Sequence, residues 1–259
     1  MNMKRVTGSQ MHFAILALVG LYVPITAAAQ EARPPRLRIE VEAGPLWLTR
    51  NDVRIPPETG TEFSLLDLTG RGPDAFVRVT ATVRIAERHS LRLLVAPVQT
   101  TGRGAFDAPV SFVDQVFPAG LPTEGTFKFN TYRVTYGYTL RDDETWRLRV
   151  GGALLTRDAK IELRQGGKVA RDTDLGLVPL AHFAAERALG PRASLLFDLE
   201  GLGSPQGRAL DAVLKLDVDL NDRWTVGAGY RTLEGGADVT SVYTFSWLHY
   251  GVFSLAYRF

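Results

Sequence analysis

The chain has 259 residues, of which 45% are hydrophobic, 30 are basic and 28 are acidic, and it contains no cysteine. The near-balance of charge argues against a nucleic-acid partner, because proteins that bind nucleic acids usually have a basic excess. The absence of cysteine excludes disulfides and thiol chemistry, and the length fits a single domain behind an N-terminal leader.

The first 29 residues have the pattern of a secretory signal peptide. A short positive region is followed by the apolar segment Phe13–Ile25 and by three alanines before Gln30. This order of charge, apolar core and small residues is typical of a cleaved leader. The apolar segment is short for a helix that crosses a bilayer, although an N-terminal membrane anchor is the alternative. We therefore expect a cleaved signal peptide at 1–29 and one domain at 30–259.

Alternation of apolar and polar residues is the main signal in that domain. In Ala75–Ala86, for example, Val77 and Val79 share one face, and the arginines between and after them take the other. A period of two residues predicts a β-strand with unlike faces. Ten such segments occur, at Arg36–Leu48, Ala75–Ala86, Ser90–Thr100, Thr126–Leu140, Trp146–Thr156, Leu175–Ala188, Ala193–Gly203, Ala209–Leu220, Trp224–Leu233 and Tyr243–Phe259.

The connections between these segments alternate in length. Tight turns follow the second, fourth, sixth and eighth segments, and longer connections, above all 49–74 and 101–125, lie between them. Short turns at one end and longer loops at the other are typical of outer-membrane barrels. We predict an all-β fold, a closed antiparallel transmembrane β-barrel of ten strands. Eight or twelve strands are alternatives, because Pro97 and Pro179 fall inside proposed strands, where proline cannot donate a hydrogen bond.

The tryptophans support a barrel whose apolar face meets lipid. All four fall at strand ends and share the parity of the apolar face of their strand. With the first strand rising from the periplasm, Trp47 and Trp247 lie at the outer interface, and Trp146 and Trp224 lie at the inner one. Aromatic girdles at both interfaces are typical of membrane barrels, and we add Tyr257 to this girdle. A soluble β-sandwich or lipocalin-like barrel, with its apolar faces inside, is the alternative.

The polar faces, interpreted as the lumen, have a lopsided charge distribution. Strands two to five contribute arginines, and strands six to eight, which contribute carboxylates, face them across a ten-stranded barrel. Small barrels leave little interior space and buried charges need partners, so an ion-paired plug or a narrow passage is favoured over a water-filled pore. The predicted network consists of Arg78, Arg84, Arg92, Arg133, Arg147, Arg149, Glu186, Asp198, Glu200, Asp211, Asp217 and Asp219.

Little in the sequence points to catalysis. His182 shares its face with Glu186, but four residues along one strand separate the two side chains by about 13 Å. No G-x-S-x-G motif occurs, and no cluster of histidines or cysteines suggests a transition-metal site. We therefore expect no catalytic residue, no metal site and no cofactor.

Two long connections contain apolar stretches, Phe63–Leu68 and Ser111–Leu121. Apolar patches on a surface often mark contact sites. These stretches could fold inward as a lid, touch lipopolysaccharide or bind a partner, or each loop could simply pack on its neighbour.

The last residues carry a resemblance to a known family. Phe253, Leu255 and Tyr257 alternate before a final Phe259. Together with the leader, the paired connections and the girdle, this end resembles that of small Gram-negative outer-membrane β-barrel proteins. The resemblance implies location in the bacterial outer membrane, contact with its lipid and lipopolysaccharide, and recognition of Phe259 and its strand by the barrel assembly machinery. It says almost nothing about activity.

The function predicted on this basis is that of a non-enzymatic integral barrel, either structural or a narrow channel with an ion-paired polar lumen. One alternative is a barrel enzyme that acts on envelope lipid or peptide. Another is a surface-contact protein that uses the long loops 49–74 and 101–125. Nothing in the sequence indicates an oligomeric state.

Overall fold

The structure is a computed structural model that describes residues 37–205 and 207–259. Within it, most strands pair in antiparallel fashion with the strand that follows in the chain. The predicted signal peptide and Arg36, the first residue of the first predicted strand, lie outside the described residues. The strands are β1 (Leu37–Arg54), β2 (Phe63–Ser64), β3 (Asp74–Ala86), β4 (His89–Ala96), β5 (Gln99–Gly104), β6 (Val110–Phe112), β7 (Gln115–Phe117), β8 (Thr123–Asp142), β9 (Trp146–Gln165), β10 (Lys168–Ala188), β11 (Ala193–Ser204), β12 (Gly207–Asp219), β13 (Trp224–Val239) and β14 (Val242–Arg258), and a short helix, α1 (Leu66–Thr69), lies between β2 and β3.

Ten strands form a closed antiparallel barrel, which confirms the predicted fold class and strand number. The order around the wall is β1, β3, β4, then β8 to β14, and β14 pairs with β1 to close the ring. The closing ladder runs from Arg38 opposite Arg258 to Arg54 opposite Tyr243. We call the end of the barrel with the tight turns the turn end and the opposite end the loop end.

Each predicted strand coincides with a barrel strand, and the two prolines have a structural explanation. Pro97 divides the third predicted strand, because β4 ends at Ala96 and β5 begins at Gln99 and continues alone along β8. Pro179 lies inside β10, two residues beyond the last residue that pairs with β11. Both prolines therefore lie where ladder pairing is interrupted, as expected for a residue that lacks an N–H group.

The outer face of the barrel is apolar and the inner face is polar, the reverse of a soluble barrel. In β3, the side chains of Val77 and Val79 are each 42% exposed, whereas Arg78 between them is 4% exposed. The alternative of a soluble sandwich with apolar faces inside is therefore wrong. No helix in the described ranges is long and apolar enough to span a bilayer.

The strands differ in length, so the wall is uneven at the loop end. β8, β9 and β10 contain 20, 20 and 21 residues, whereas β11 and β12 contain 12 and 13. A tilted strand needs only about 9–11 residues to cross a membrane. The extra residues of β8 to β10 thus form a raised section of wall beyond the membrane band.

The predicted strands of the raised wall were too short because the pattern inverts there, and those of β1 and β13 each ended six residues early. In β9, Ile161 and Leu163 point inward and are buried, while Lys160 and Arg164 point outward. Beyond the membrane, the outer face meets water and the inner face meets the loops, so apolar and polar residues exchange sides. The ladder between β8 and β9 itself continues through the raised wall, from Thr131 opposite Arg157 to Glu124 opposite Arg164.

The long loops fold inward and fill part of the loop end. The sequence did not decide between several roles for the apolar stretches of these loops. In the structure the stretches are largely buried, and Leu65 and Phe112 are fully enclosed. The ring of Phe63 meets the ring of Phe112 edge-on at 5.9 Å between centroids. These side chains pack on the barrel through one apolar cluster that includes Leu48 and Tyr250. The loops therefore act as a lid that covers one side of the lumen.

Candidate functional site

Inward-facing charges meet in the middle of the lumen. Asp211 of β12 accepts hydrogen bonds from Arg78 at 3.0 Å and from Arg231 at 2.6 Å, and it lies 3.0 Å from the guanidinium of Arg133. Glu42 of β1 lies 2.9 Å from Arg231 and 3.5 Å from Arg78. These five side chains come from five strands, so their contacts join opposite sides of the barrel.

A second group of contacts extends the network toward β4 and β11. Arg92 donates to Asp198 at 2.7 Å and to Glu200 at 2.6 Å. Glu200 also accepts hydrogen bonds from Arg133 and from Thr135, the latter at 2.5 Å. Arg133 therefore links the carboxylates of β11 to that of β12.

Lys215 completes the network on the side of β1. Its side chain is 1% exposed, pairs with Glu40, and lies 3.7 Å from Glu42 and 3.5 Å from Asp217. Arg38 in turn lies 3.2 Å from Glu40. An amine so deeply buried requires several carboxylates around it, because an unpaired charge in this position would lose its hydration without compensation.

We call the connected set the central ion cluster. It contains equal numbers of cations and carboxylates, so its formal charge is zero when all members are ionised. Its members are Arg38, Arg78, Arg92, Arg133, Lys215, Arg231, Glu40, Glu42, Asp198, Glu200, Asp211 and Asp217.

The remaining residues of the predicted network lie closer to the turn end. Glu186 lies 3.5 Å from Arg147 and 3.8 Å from Arg149, and Asp219 pairs with Arg258 at 2.9 Å. Arg84 lies near the turn end of β3, is exposed, and has no ion pair with any residue that the structure describes. A hydrated guanidinium does not need one.

The predicted set also lacked several members of the central ion cluster. Glu42, Lys215 and Arg231 lie on the same inward faces as the predicted charges, and their parity in the sequence is the signal that identifies them. Which of them touch depends on the register between strands far apart in the chain. A sequence pattern within one strand does not contain that information.

Two cavities lie on either side of the central ion cluster. The smaller one, of about 130 Å³, is at the turn end and is lined by Ser90, Arg92 and His182 among others. The larger one, of about 650 Å³, is at the loop end, and Asp211 forms part of its lining. Arg133 lines both. The cluster therefore divides the lumen.

The smaller cavity contains a histidine next to a carboxylate, but no activated nucleophile. His182 lies with Nε2 3.3 Å from Asp198, and its Nδ1 is buried without a partner. The hydroxyl of Ser90 donates to the backbone oxygen of Gly137 at 3.3 Å. A serine nucleophile would need a hydrogen bond to the base, and none joins Ser90 to His182 in the described residues. The same residues contain no group of three potential metal ligands.

The four tryptophans lie on the outer face, two at strand ends and two inside their strands, rather than all four at strand ends as predicted. Trp146 and Trp224 are the first residues of β9 and β13 at the turn end, while Trp47 and Trp247 lie toward the loop end. The ring of Tyr257 packs edge-on against Trp224, with 4.7 Å between the centroids. The exposed rings thus border an apolar band at both of its edges.

The last residue, Phe259, is held at the seam of the barrel. Its amide donates to the carbonyl of Leu37 at 2.9 Å, and its ring meets that of Tyr257 at 4.7 Å. The ring itself is exposed on the outer face.

No protein-family model matches the chain, and no curated protein matches it. Among solved structures, the outer-membrane protease OmpT from Escherichia coli is similar, with a TM-score of 0.52 at 8% identity over 90% of this chain and 99% of OmpT. Ail, the attachment invasion locus protein of Yersinia pestis, gives 0.37 at 13% identity over 86% of this chain and 99% of Ail. Neisserial surface protein A gives 0.36 at 11% identity over 89% of this chain and 100% of that protein. At such identities, the similarity to OmpT shows the fold alone, an outer-membrane type of β-barrel.

Proposed function

We propose that the protein is an integral, non-enzymatic barrel of the bacterial outer membrane whose lumen is closed by the central ion cluster. The observation that carries this proposal is the position of the cluster, which joins opposite walls and separates the two cavities. The apolar outer face supports membrane insertion, because a barrel that closes on itself leaves no unpaired backbone edge toward lipid. The leader pattern of residues 1–29 supports export through a cleaved signal peptide, with the turn end in the periplasm.

The energetics of the cluster favour a closed lumen over an open passage. Removing one member of a buried ion pair typically costs about 3–5 kcal/mol, because its partner is left uncompensated. Arg133 contacts both Glu200 and Asp211, so an ion that displaced it would have to break two pairs together. We therefore favour the structural form of the proposal over the narrow channel.

An enzymatic role has less support. The His182–Asp198 contact is the part of the lumen that most resembles catalytic machinery. The hydroxyl of Ser90, however, donates its hydrogen bond to a backbone oxygen and not to His182. The role of the loops as a contact surface is also weakened, since most of their apolar side chains are buried. Val116 and Leu121 are the large apolar side chains of Ser111–Leu121 that stay exposed.

Two partners follow from the proposed location. Four cationic side chains project from the outer face of the raised wall, where lipopolysaccharide carries its phosphates, and they share only two carboxylates, those of Asp158 and Glu162. The four are Lys128, Lys160, Arg164 and Arg171. The exposed ring of Phe259, at the end of the strand that closes the barrel, supports recognition by the barrel assembly machinery.

Conductance in planar bilayers tests the closed lumen. We expect the wild-type barrel to insert without a steady current, and the double variant Arg133→Ala/Asp211→Ala to conduct, because it removes both sides of one contact across the lumen. Arg84→Ala is the matched control, since it removes a guanidinium outside the cluster. A steady ohmic current through the wild-type barrel would contradict the proposal.

A further inference from the structure

The barrel wall is open between β10 and β11 at the loop end. The two strands pair from Ala188 opposite Ser194 only as far as Ala181 opposite Gly201. Beyond that point β10 continues to Lys168, paired with β9 alone, while β11 turns back into β12 after Ser204. Among the described residues, no other backbone hydrogen bond reaches this edge of β10.

The opening begins inside the apolar band of the outer face. On β10, the outward side chains of Leu175 and Leu177 are 76% and 67% exposed, and the first outward charge above them is Arg171. On β12, Leu210 is the last outward apolar side chain before Arg208. The lower part of the opening therefore faces the acyl chains of the outer leaflet, and its upper part faces their headgroups.

An unpaired strand edge at this depth needs an explanation. A backbone group that lacks a hydrogen bond is strongly unfavourable in lipid, and such edges are tolerated only where they are buried in protein or line a water-filled cavity. Pro179 lies on this edge and has no N–H to satisfy. The edge thus borders an interior space.

The cavity of about 650 Å³ is that space. Its lining includes Leu177 and Pro179 from the outer face of β10 and Leu210 from the outer face of β12, together with inward residues such as Leu180. Residues from both edges of the opening line it, Pro179 on β10 and Ser204 on β11, so the cavity reaches the opening. Its volume lies within the roughly 300–1,000 Å³ of small-molecule sites.

The chemistry of the lining changes from apolar inside to charged at the rim. Leu155 and Leu180 are buried with Ala153 in one apolar cluster, against which Val178 and Ala209 pack. Toward the rim, two ion pairs flank the opening, one on either side. They are Arg157 with Asp174 and Arg208 with Glu234.

We propose that an alkyl-chain amphiphile of the outer leaflet enters this cavity sideways, between β10 and β11. Its chain lies against Leu155 and Leu180, and its polar head stays between the ion pairs at the rim. This inference goes beyond a closed lumen and does not depend on it: the central ion cluster forms the floor of the cavity whether or not ions can cross that floor.

Binding of radiolabelled dodecanoic acid to the barrel in lipid nanodiscs tests the site. The saturable part of the binding, above that of empty discs, is the quantity to compare. Ala209→Trp fills the cavity from β12, and Ala212→Trp places the same ring on the outer face of the same strand. We expect Ala209→Trp to bind about tenfold more weakly and Ala212→Trp to bind like the wild type. Equal binding by all three, or no saturable binding by the wild type, would overturn the proposal.

A second experiment tests the path. The chain has no cysteine, so Val178→Cys/Ser204→Cys, placed where the register would continue, introduces one thiol pair across the opening. Oxidation should slow uptake of dodecanoic acid at least about tenfold, and a reductant should restore it. The control pair Ala185→Cys/Phe197→Cys lies in the paired part of the same strands, where oxidation should change nothing. Unchanged uptake through an oxidised opening would exclude lateral access; if this disulfide does not form, Pro179→Cys/Gly203→Cys offers the adjacent position.

Discussion

Arg133 and Asp211 lie 3.0 Å apart in the centre of the barrel, although β8 and β12 lie on nearly opposite sides of the lumen. Their contact holds two walls together through side chains alone, independently of the backbone ladders. The interior thus contributes to the stability of the barrel as a connected set of ion pairs.

Arg133→Ala should destabilise the barrel by about 3–5 kcal/mol, because it leaves Glu200 and Asp211 buried with fewer cations. Urea unfolding in detergent, followed by the loss of heat-modifiable migration, measures the effect. Arg84→Ala should change the free energy of unfolding by no more than about 0.5 kcal/mol, as is usual for an exposed residue. A similar loss in both variants would show that the location within the cluster is irrelevant.

Phe112→Ala should loosen the lid without unfolding the barrel. Phe112 is fully buried, and removal of such a ring typically costs about 3–5 kcal/mol, but it lies in a loop rather than in the barrel wall, and its ring meets that of Phe63 in the other long loop. Limited proteolysis should therefore cut within 101–125 much faster than in the wild type, while heat-modifiable migration is retained. Val116→Ala, at a 53% exposed position in the same loop, should be cut at the wild-type rate. If barrel migration is lost together with loop protection, the lid is part of the barrel's cooperative unit.

Deletion of Phe259 should impair assembly in cells more than stability in vitro. The exposed ring contributes little burial, whereas an assembly machinery that reads the last residue would lose its signal. The yield of heat-modifiable barrel in the outer membrane should fall severalfold, and urea-unfolded protein should still refold into detergent. Phe183→Ala, at an exposed aromatic on the outer face of β10, is the control that leaves the last strand intact. Normal cellular yield after deletion would refute the role of Phe259.

Asp143, in the turn between β8 and β9, should titrate near pH 2. The backbone amide of Trp146, the guanidinium of Arg141 and the amide of Thr145 lower the pKa of its carboxyl to about 2 from the ordinary 3.8. A lowered pKa means that the ionised carboxylate stabilises the turn fully above the ordinary pKa, and that this stabilisation is lost as the pH falls toward 2. Nuclear magnetic resonance of the labelled carboxyl checks the midpoint. In Asp143→Ala, the turn should show no such dependence between pH 4 and pH 2; a midpoint near 3.8 in the wild type would contradict the hydrogen bonds.

The sequence predicted the strands well within the membrane, where apolar side chains must face lipid and polar side chains face the lumen. In β3, lipid on one side and charge on the other keep Val77 and Arg78 on opposite faces, and a period of two follows. The sequence did not predict the strand residues of the raised wall, because water replaces lipid there. Ile161 therefore points inward and Lys160 outward. Local alternation remains, but its meaning is reversed.

For the site, the sequence could predict which side chains point inward but not which of them contact each other. Inward parity identifies Asp211, yet its partners come from β3, β8 and β13, and these contacts depend on the shear of the closed barrel. The opening beside Pro179 was equally invisible, since it results from a difference in length between β10 and β11. Pro179 indicated an interruption in strand pairing at this position, but not that β11 is the strand that fails to pair there.

The ladder between β1 and β14 has a consequence for the order of folding. It joins Arg38 to Arg258, so the ring cannot close before nearly the whole sequence is in place, and contacts between such distant residues form slowly. Glu42 of β1 meets Arg78 from the neighbouring β3, but its contact with Arg231 crosses the seam. The charges on both sides of the seam therefore stay hydrated until closure, and they lose their water in the same late step that completes the ring.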